Sequence, residues 1–406
     1  MHRQKSRKAG KNRKKAAVME TRKLYYEDPH CRRFESAVVS CEETKGGYAV
    51  VLEATAFYPE GGGQAGDTGR LNDVPVTDTR EQDGQVVHLC SQPLEPGTKV
   101  EGVLDYPARF LRMQQHSGEH MVSGVIHRRY GFHNTGFHMG ADCITIDFDG
   151  VIPPEDLPEI EAEVNGFVWQ NLNVRCWVPS PEELETIPYR TKRALPWPVR
   201  IVEIPGVDIC ACCGTHVTRT GEIGLVKLFS AIRFRGGTRM EMACGSRALE
   251  ILNGAYEQNR LVSQAFSAPM GETGAAAQRM NQLLAEEKFR VVGLRRQMFA
   301  AIARDCAGQG NVLRVEPDLD NTALRELADT LADACGTAAV FSPRPEGGYG
   351  FCLVSRTEDL RPLGRELTQR LHGRGGGKPG FQQGSVAADA GEIRSFFAKL
   401  PGDWGI

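Results

Sequence analysis

At 406 residues the chain exceeds what one hydrophobic core organises, so two or three domains are expected. Its 41% hydrophobic and 25% charged residues are ordinary for a globular protein, and no run approaches the roughly 18 consecutive apolar residues of a membrane helix. The formal charge of −2 hides an asymmetry: eight of the 49 basic residues lie within positions 3–15, leaving 41 bases against 51 acids elsewhere, which excludes a generally basic nucleic-acid coat.

Residues 1–18 read as a disordered basic extension, because like charges repel and little there can be buried. It is either an arm that touches phosphates or an overlong start before Met19. No apolar stretch of roughly 7–15 residues follows it, so no secretory signal is expected. The 12 cysteines in so long a chain then suit a reducing cytoplasm, with thiols free to bind metal.

From Phe34 to Asp105 short apolar runs such as Tyr48–Leu52, Val86–Leu89 and Val100–Leu104 alternate with turn residues, predicting a small antiparallel sheet or barrel. Pro107 opens a helix running to Tyr130, and Gly131 stands where a left-handed residue would end it. Residues 143–149 read as a strand, Glu155–Leu172 as a helix, and Val174–Val178, Val199–Ile204 and Ile223–Phe229 as strands. Apolar or small residues then recur at helical spacing through Leu249, Leu252, Ala255, Val262 and Phe266. After Pro269, Gly271 and Gly274 they resume at Ala277, Met280, Leu284, Val291, Leu294 and Met298. Two helices folded back as a hairpin or short coiled coil are expected, serving as a spacer. The last hundred residues alternate helix (Thr322–Cys335, Leu363–His372) and strand (Thr337–Ser342, Tyr349–Ser355), ending in a Gly-rich loop from Gly373 to Gly380.

Three segments carry chemistry. On the predicted helix, His116 and His120 stand four apart and share one face, a two-point metal clamp. A histidine pair alone is only suggestive, since helices carry such pairs by chance. Further along, Cys212 and His216 could complete a tetrahedral zinc site, with Cys210 and Cys213 as spare ligands; imidazole with thiolate favours zinc over calcium or magnesium. The third segment, Phe57-Tyr58-Pro59-Glu60-Gly61-Gly62-Gly63-Gln64 with Asp67 and Gly69, reads as a tight turn. It lacks the ending of a P-loop and the spacing of a dinucleotide fingerprint.

In this order the three segments resemble the alanyl-tRNA editing proteins, free-standing relatives of the editing domain of alanyl-tRNA synthetase. The Phe57–Gln64 stretch is specific to that family, and His116/His120 with Cys212/His216 match its zinc-binding pairs. Gly221-Glu222-Ile223-Gly224 and Arg239-Met240-Glu241 leading to Gly245 add to the match. The resemblance covers about residues 19–250, and the remainder resembles the long form, in which a linker leads to a domain like the synthetase C-terminal domain. Gly373–Pro379 with Gln383 and Gly384 is that domain's glycine loop. Two positions depart from the pattern: Cys213 replaces a glycine, making it a rival ligand to Cys212, and Gly380 stands where an acid is common.

The resemblance implies an α+β protein: the disordered extension 1–18, a β-rich barrel-like domain at 19–105, a zinc-binding editing domain at 106–250, a helical hairpin linker at 251–305, and a small α/β C-terminal domain at 306–406. It implies a trans-editing hydrolase that removes serine or glycine from mischarged tRNA(Ala), using one Zn2+ per chain held by His116, His120, Cys212 and His216. Glu119, beside the site, is either a proton acceptor or an exposed helix glutamate. Gly61, Gly62, Gly63, Gln64, Thr135, His138 and Arg239 are the expected substrate contacts. Arg233, Arg235 and Arg239, with Arg374 and Lys378, are suited to tRNA phosphates. The helical arm and C-terminal region are expected to grip the tRNA or join a homodimer, and no membrane partner is expected. A non-catalytic tRNA-binding protein with a structural zinc is the alternative, and a hydrolase of free aminoacyl esters or phosphodiesters is a further one.

Overall fold

The computed structural model describes residues 20–191 and 195–405, so the basic extension at 1–18 lies outside the described residues. The chain divides into two units, Met1–Leu261 and Val262–Ile406, and each mixes helices with sheets, as an α+β fold requires.

After a short strand at Arg22–Lys23 and a helical turn at Leu24–Glu27, the first unit holds six antiparallel strands: β1 (Arg33–Thr44), β2 (Gly47–Leu52), β3 (Gly69–Leu71), β4 (Val74–Gln82), β5 (Gln85–Cys90) and β6 (Lys99–Leu104). They pair in the order β1-β2-β5-β4-β3-β6, and β6 returns to β1, so the ladder closes into a ring without edges. Alternate residues Val50, Leu52, Leu71, Val76, Val100 and Leu104 fill its interior with Phe34 and Phe57. Gly102 is required there: a Cβ would stand 2.3 Å from the Phe34 ring.

Helix α1 (Tyr106–Tyr130) follows, capped by the Asp105 carboxylate at one end and closed by Gly131 at φ 73° at the other. Its composition is polar, yet it is buried almost all round, including Gln114, Gln115, His116, Ser117, Glu119 and His120. A helix so placed must satisfy each polar side chain internally, which makes it the natural place to look for a site. Glycines admit its neighbours closely, since a Cβ on Gly118 would stand 2.2 Å from Cys244 Sγ.

One face of α1 packs Met113, Met121, Val122 and Val125 against Ile144, Ile146, Met240 and Met242 of a four-stranded sheet. That sheet runs β12-β13-β8-β7, from β7 (Asn134–Met139), β8 (Ile144–Phe148), β12 (Val226–Phe234) and β13 (Gly237–Cys244). Helix α2 (Leu157–Trp169) adds Ile160, Val164 and Val168 to the same core. A smaller sheet, β9 (Arg175–Trp177), β10 (Ile201–Ile204) and β11 (Asp208–Ala211), carries the cysteine segment. The strand expected at Ile223–Phe229 begins only at Val226, because Thr220–Ile223 form a 3-10 turn ended by Gly224 at φ 78°.

Asp67 fastens the ring to α1. Its side chain is buried, accepts from Tyr58 N at 2.6 Å and Arg109 Nε at 2.7 Å, and is also bridged by Arg109 Nη2.

Helix α3 (Gly245–Phe266) contains the boundary between units, and α4 (Thr273–Asp305) begins the second; they are separated at Pro269 and Gly271 as expected, while Gly274 falls inside α4. The second unit holds a six-stranded sheet in the order β17-β18-β16-β15-β14-β19. Its strands are β14 (Asn311–Val315), β15 (Thr337–Pro343), β16 (Tyr349–Ser355), β17 (Arg374–Lys378), β18 (Phe381–Val386) and β19 (Trp404–Gly405). Helix α5 (Asn321–Ala332) packs Leu324, Leu327 and Leu331 with Phe299 of α4 in one cluster. Helices α6 (Arg361–Arg370) and α7 (Ala390–Phe397) build a second with Leu367, Ile393 and Phe397.

The Gly-rich segment is not the expected loop. Arg374–Lys378 is an edge strand, paired residue by residue from Arg374↔Ser385 to Lys378↔Phe381. Glycine is needed because β18 lies so close: a Cβ on Gly377 would stand 2.1 Å from Phe381 O, and one on Gly375 2.9 Å from the Phe351 ring. Arg374 and Lys378 lie exposed on this edge.

Candidate metal centre

His116, His120, Cys212 and His216 converge: one ligand atom from each lies within 4.8 Å of the others, although nearly a hundred residues separate the pairs. Cys212 Sγ is 3.4 Å from both His116 Nε2 and His216 Nε2. Zn–S and Zn–N bonds of about 2.3 and 2.0–2.1 Å at tetrahedral angles set an S···N edge of about 3.5 Å, so the donor set fits zinc.

Each imidazole is aimed by a partner on its far nitrogen. His116 Nδ1 is 3.1 Å from Gln64 Oε1, and Gln64 Nε2 donates to Thr215 Oγ1 at 2.8 Å. His216 Nδ1 is 3.2 Å from Ser117 Oγ, which also accepts from Val217 N. His120 Nδ1 lies 3.3 Å from Asp208 Oδ2, close enough for an ion pair but without an aligned hydrogen bond. Asp208 is gripped at 2.7 and 2.8 Å by Arg190, whose backbone pairs alongside β11. Such outer partners hold rings in place for a metal.

Burial raises the cost of a thiolate at Cys212, but His116 and His216 outweigh it and hold the thiol well below its ordinary range. Burial, reinforced by His116, pushes His216 down to about 3, which keeps it neutral. A metal demands thiolate with neutral imidazole, so binding one requires a proton to leave His120, which burial pushes down but Cys210, Asp208 and Cys212 together hold well above its ordinary range.

Other sequence expectations fall differently. Cys213 is exposed and outside the cluster, while Cys212 is in it. Cys210 joins a second group with His120 and Asp208. Glu119 is not an exposed helix glutamate: it is buried, and Oε1 accepts from Ser123 Oγ and Asn134 Nδ2, both at 2.5 Å. Thr135 and His138 are exposed on β7, and Thr135 Oγ1 donates to Asp147 O at 3.1 Å. Arg239 is committed to Asp147 by two hydrogen bonds of 2.7 and 2.8 Å across paired strands.

Gly61–Gln64 form a two-residue turn in which Gly62 and Gly63 have φ of 60° and 85°, the geometry glycine suits best. A Cβ on Gly63 would stand 2.9 Å from Phe137, whose ring stacks on His116 at 5.4 Å. Thr215, Ser117, Asp208 and Arg190 escaped the sequence reading as site residues. One signal was available: Asp208, Cys210 and Cys212 alternate with period two and so share a strand face.

Gly214 stands hard against the cluster, where a Cβ would lie 2.1 Å from His116 Cε1. Gly214→Ala is therefore expected to push His116 aside and weaken zinc binding by about 10–100-fold, as loss of an outer partner does. Competition with a chromophoric chelator measures this, and unchanged affinity would show that the ring has room to move.

A family model described as "Threonyl and Alanyl tRNA synthetase second additional domain" matches residues 199–241, and one described as "tRNA synthetases class II (A)" matches residues 2–108. Alanyl-tRNA editing protein AlaX-L of Pyrococcus horikoshii is 29% identical over 91% of this chain and 96% of its own length. Alanyl-tRNA editing protein Aarsd1 of Rattus norvegicus is 28% identical over 89% and 93% respectively. The alanine–tRNA ligase of Natronomonas pharaonis is 32% identical over 93% of this chain, which spans 43% of that ligase. The C-Ala domain of Aquifex aeolicus alanyl-tRNA synthetase matches 24% of the chain at 21% identity and a TM-score of 0.21, too slight a likeness to carry an argument.

Proposed function

We propose that this chain, a relative of the alanyl-tRNA editing proteins along nearly its whole length, edits tRNA(Ala) in trans by hydrolysing the ester to a wrong amino acid, serine or glycine. The observation that carries the reading is the convergence of His116, His120, Cys212 and His216 beside the Gly61–Gln64 turn. These four side chains would hold one zinc, which when bound supplies a Lewis acid at an already activated ester.

The chain's own groups orient and exclude. Gln64 and Thr215 hold His116 from the turn side, and Phe137 covers one face of its ring, keeping water from it. Glu119 positions Asn134 and Ser123, and a carboxylate so engaged is a poor proton acceptor. Thr135 and His138, exposed on the strand that also carries Phe137, are the groups we assign to the substrate side. A site that hydrogen-bonds the serine hydroxyl can favour it strongly over alanine, which lacks one. Four protein donors also complete a tetrahedron, and that closure favours a second reading: a tRNA-binding protein with a structural zinc.

The test is release of amino acid from seryl-, glycyl- and alanyl-tRNA(Ala), by the wild-type chain and by His116→Ala. Serine or glycine should be released with alanine retained, and the substitution should slow release by at least about 100-fold while tRNA binding survives. A folded, zinc-loaded chain that binds tRNA but releases neither amino acid would leave only the second reading.

A further inference from the structure

The hairpin joining β12 to β13 is built for a polyanion. Phe234 pairs with Gly237, leaving the two-residue turn Arg235-Gly236 with φ of 49° and 86°. That turn asks for glycine or asparagine at both central positions, and an arginine at positive φ is strained. A side chain kept under such strain points to a role outside the fold. Arg233 and Arg235 are both exposed, and among the described residues neither forms a salt bridge. Arg239 is neutralised by Asp147, but its guanidinium lies 3.7 Å from the Phe234 ring centre, with that of Arg235 at 4.9 Å on the same ring. Beside them a groove of about 350 Å³ is lined by Val151, Phe234 and the turn glycines.

We infer that this hairpin is a docking surface for the sugar-phosphate backbone of the RNA, with Arg233 and Arg235 on phosphates and Val151 and Phe234 against ribose or base. The inference rests on the reading that an aminoacylated RNA is the substrate. Charge complementarity selects the occupant: the chain beyond its first 15 residues is acidic, and this tip presents two exposed guanidiniums with no salt bridge among the described residues, that of Arg235 lying against the Phe234 ring. The surface is rigidly connected to the metal centre. β13 runs from the turn to Cys244, whose backbone N and O are both bonded by the Gln115 side chain, at 3.1 and 3.0 Å, one residue before His116. Seven residues of strand at about 3.3 Å each put the tip roughly 25 Å from that point. At this distance it meets the body of the RNA, not the reacting ester.

The experiment measures binding of uncharged tRNA(Ala) transcript as a function of salt, by the full chain, by Arg233→Ala/Arg235→Gly, and by Arg233→Lys/Arg235→Lys. Glycine relieves the positive φ at 235, so the first variant is expected to keep its thermal midpoint, and loss of binding cannot be assigned to unfolding. It should bind about 10-fold or more weakly, with a log–log salt slope smaller by about 1.5–2, while hydrolysis of a short aminoacyl ester is unchanged. The lysine variant should keep most of the slope. A variant that matches wild type in affinity and slope would overturn the inference, as would loss of binding to polyglutamate alone, which would assign the tip to an acidic protein. Wild-type chain that binds no RNA would remove the substrate reading as well.

Discussion

Asp67→Ala should destabilise the first unit by about 3–5 kcal/mol, the largest stability loss expected of any single substitution considered for the chain. The Asp67 and Arg109 side chains are each 1% exposed, and among the described residues their pairing is the only ionic link between the turn segment and the start of α1 besides a longer contact from Arg112 at 3.5 Å. Removing the carboxylate leaves the Arg109 guanidinium buried with carbonyls at Pro29 and Ala56 as its remaining acceptors. It also frees Tyr58 N, and an unsatisfied buried donor adds its own penalty. Denaturant melts of the variant measure the loss. A change under about 1 kcal/mol would show that water reaches Arg109 and that the pair is not a buried one. The acid in the Phe57–Gly69 motif thus reads as an anchor that holds the Gly61–Gln64 turn at the metal helix.

Cys212→Ala should weaken zinc binding by well over 100-fold, beyond the scale on which loss of an outer-sphere partner acts. The thiolate is the one anionic donor among the four, and Gly214 N donates to it at 3.3 Å, so its charge is supported locally. Cobalt substitution reports this directly, because a thiolate ligand gives a ligand-to-metal charge-transfer band that the variant must lack. Cys213→Ala, the exposed neighbour, should leave the band and the affinity unchanged. A band lost with Cys213→Ala and kept with Cys212→Ala would reverse the ligand assignment.

Local elements were legible in the sequence and long-range ones were not. The helix at 106–130 announced itself by Pro107 and Gly131, and the strand at Tyr349–Ser355 by an apolar run between turn residues. Closure of the six-stranded ring depends on β6 returning to β1 across more than fifty residues, which no periodicity encodes. The Gly373–Gly380 run misled because glycine ordinarily breaks strands, whereas here β18 and Phe351 leave no space for side chains. At the metal centre, types and spacing offered His116, His120 and His216 with a choice of three cysteines, and the family resemblance singled out Cys212. Their outer partners were not legible: Gln64, Ser117 and Asp208 are tied to the imidazoles only by the way the turn, the helix and β11 fold together.

The most direct measurement is seryl-tRNA(Ala) deacylation by chain stripped with a chelator and then titrated with zinc. The account predicts no release from the stripped chain and activity that rises linearly to one equivalent of zinc per chain, then stops. Full activity in the stripped, metal-free chain would contradict it.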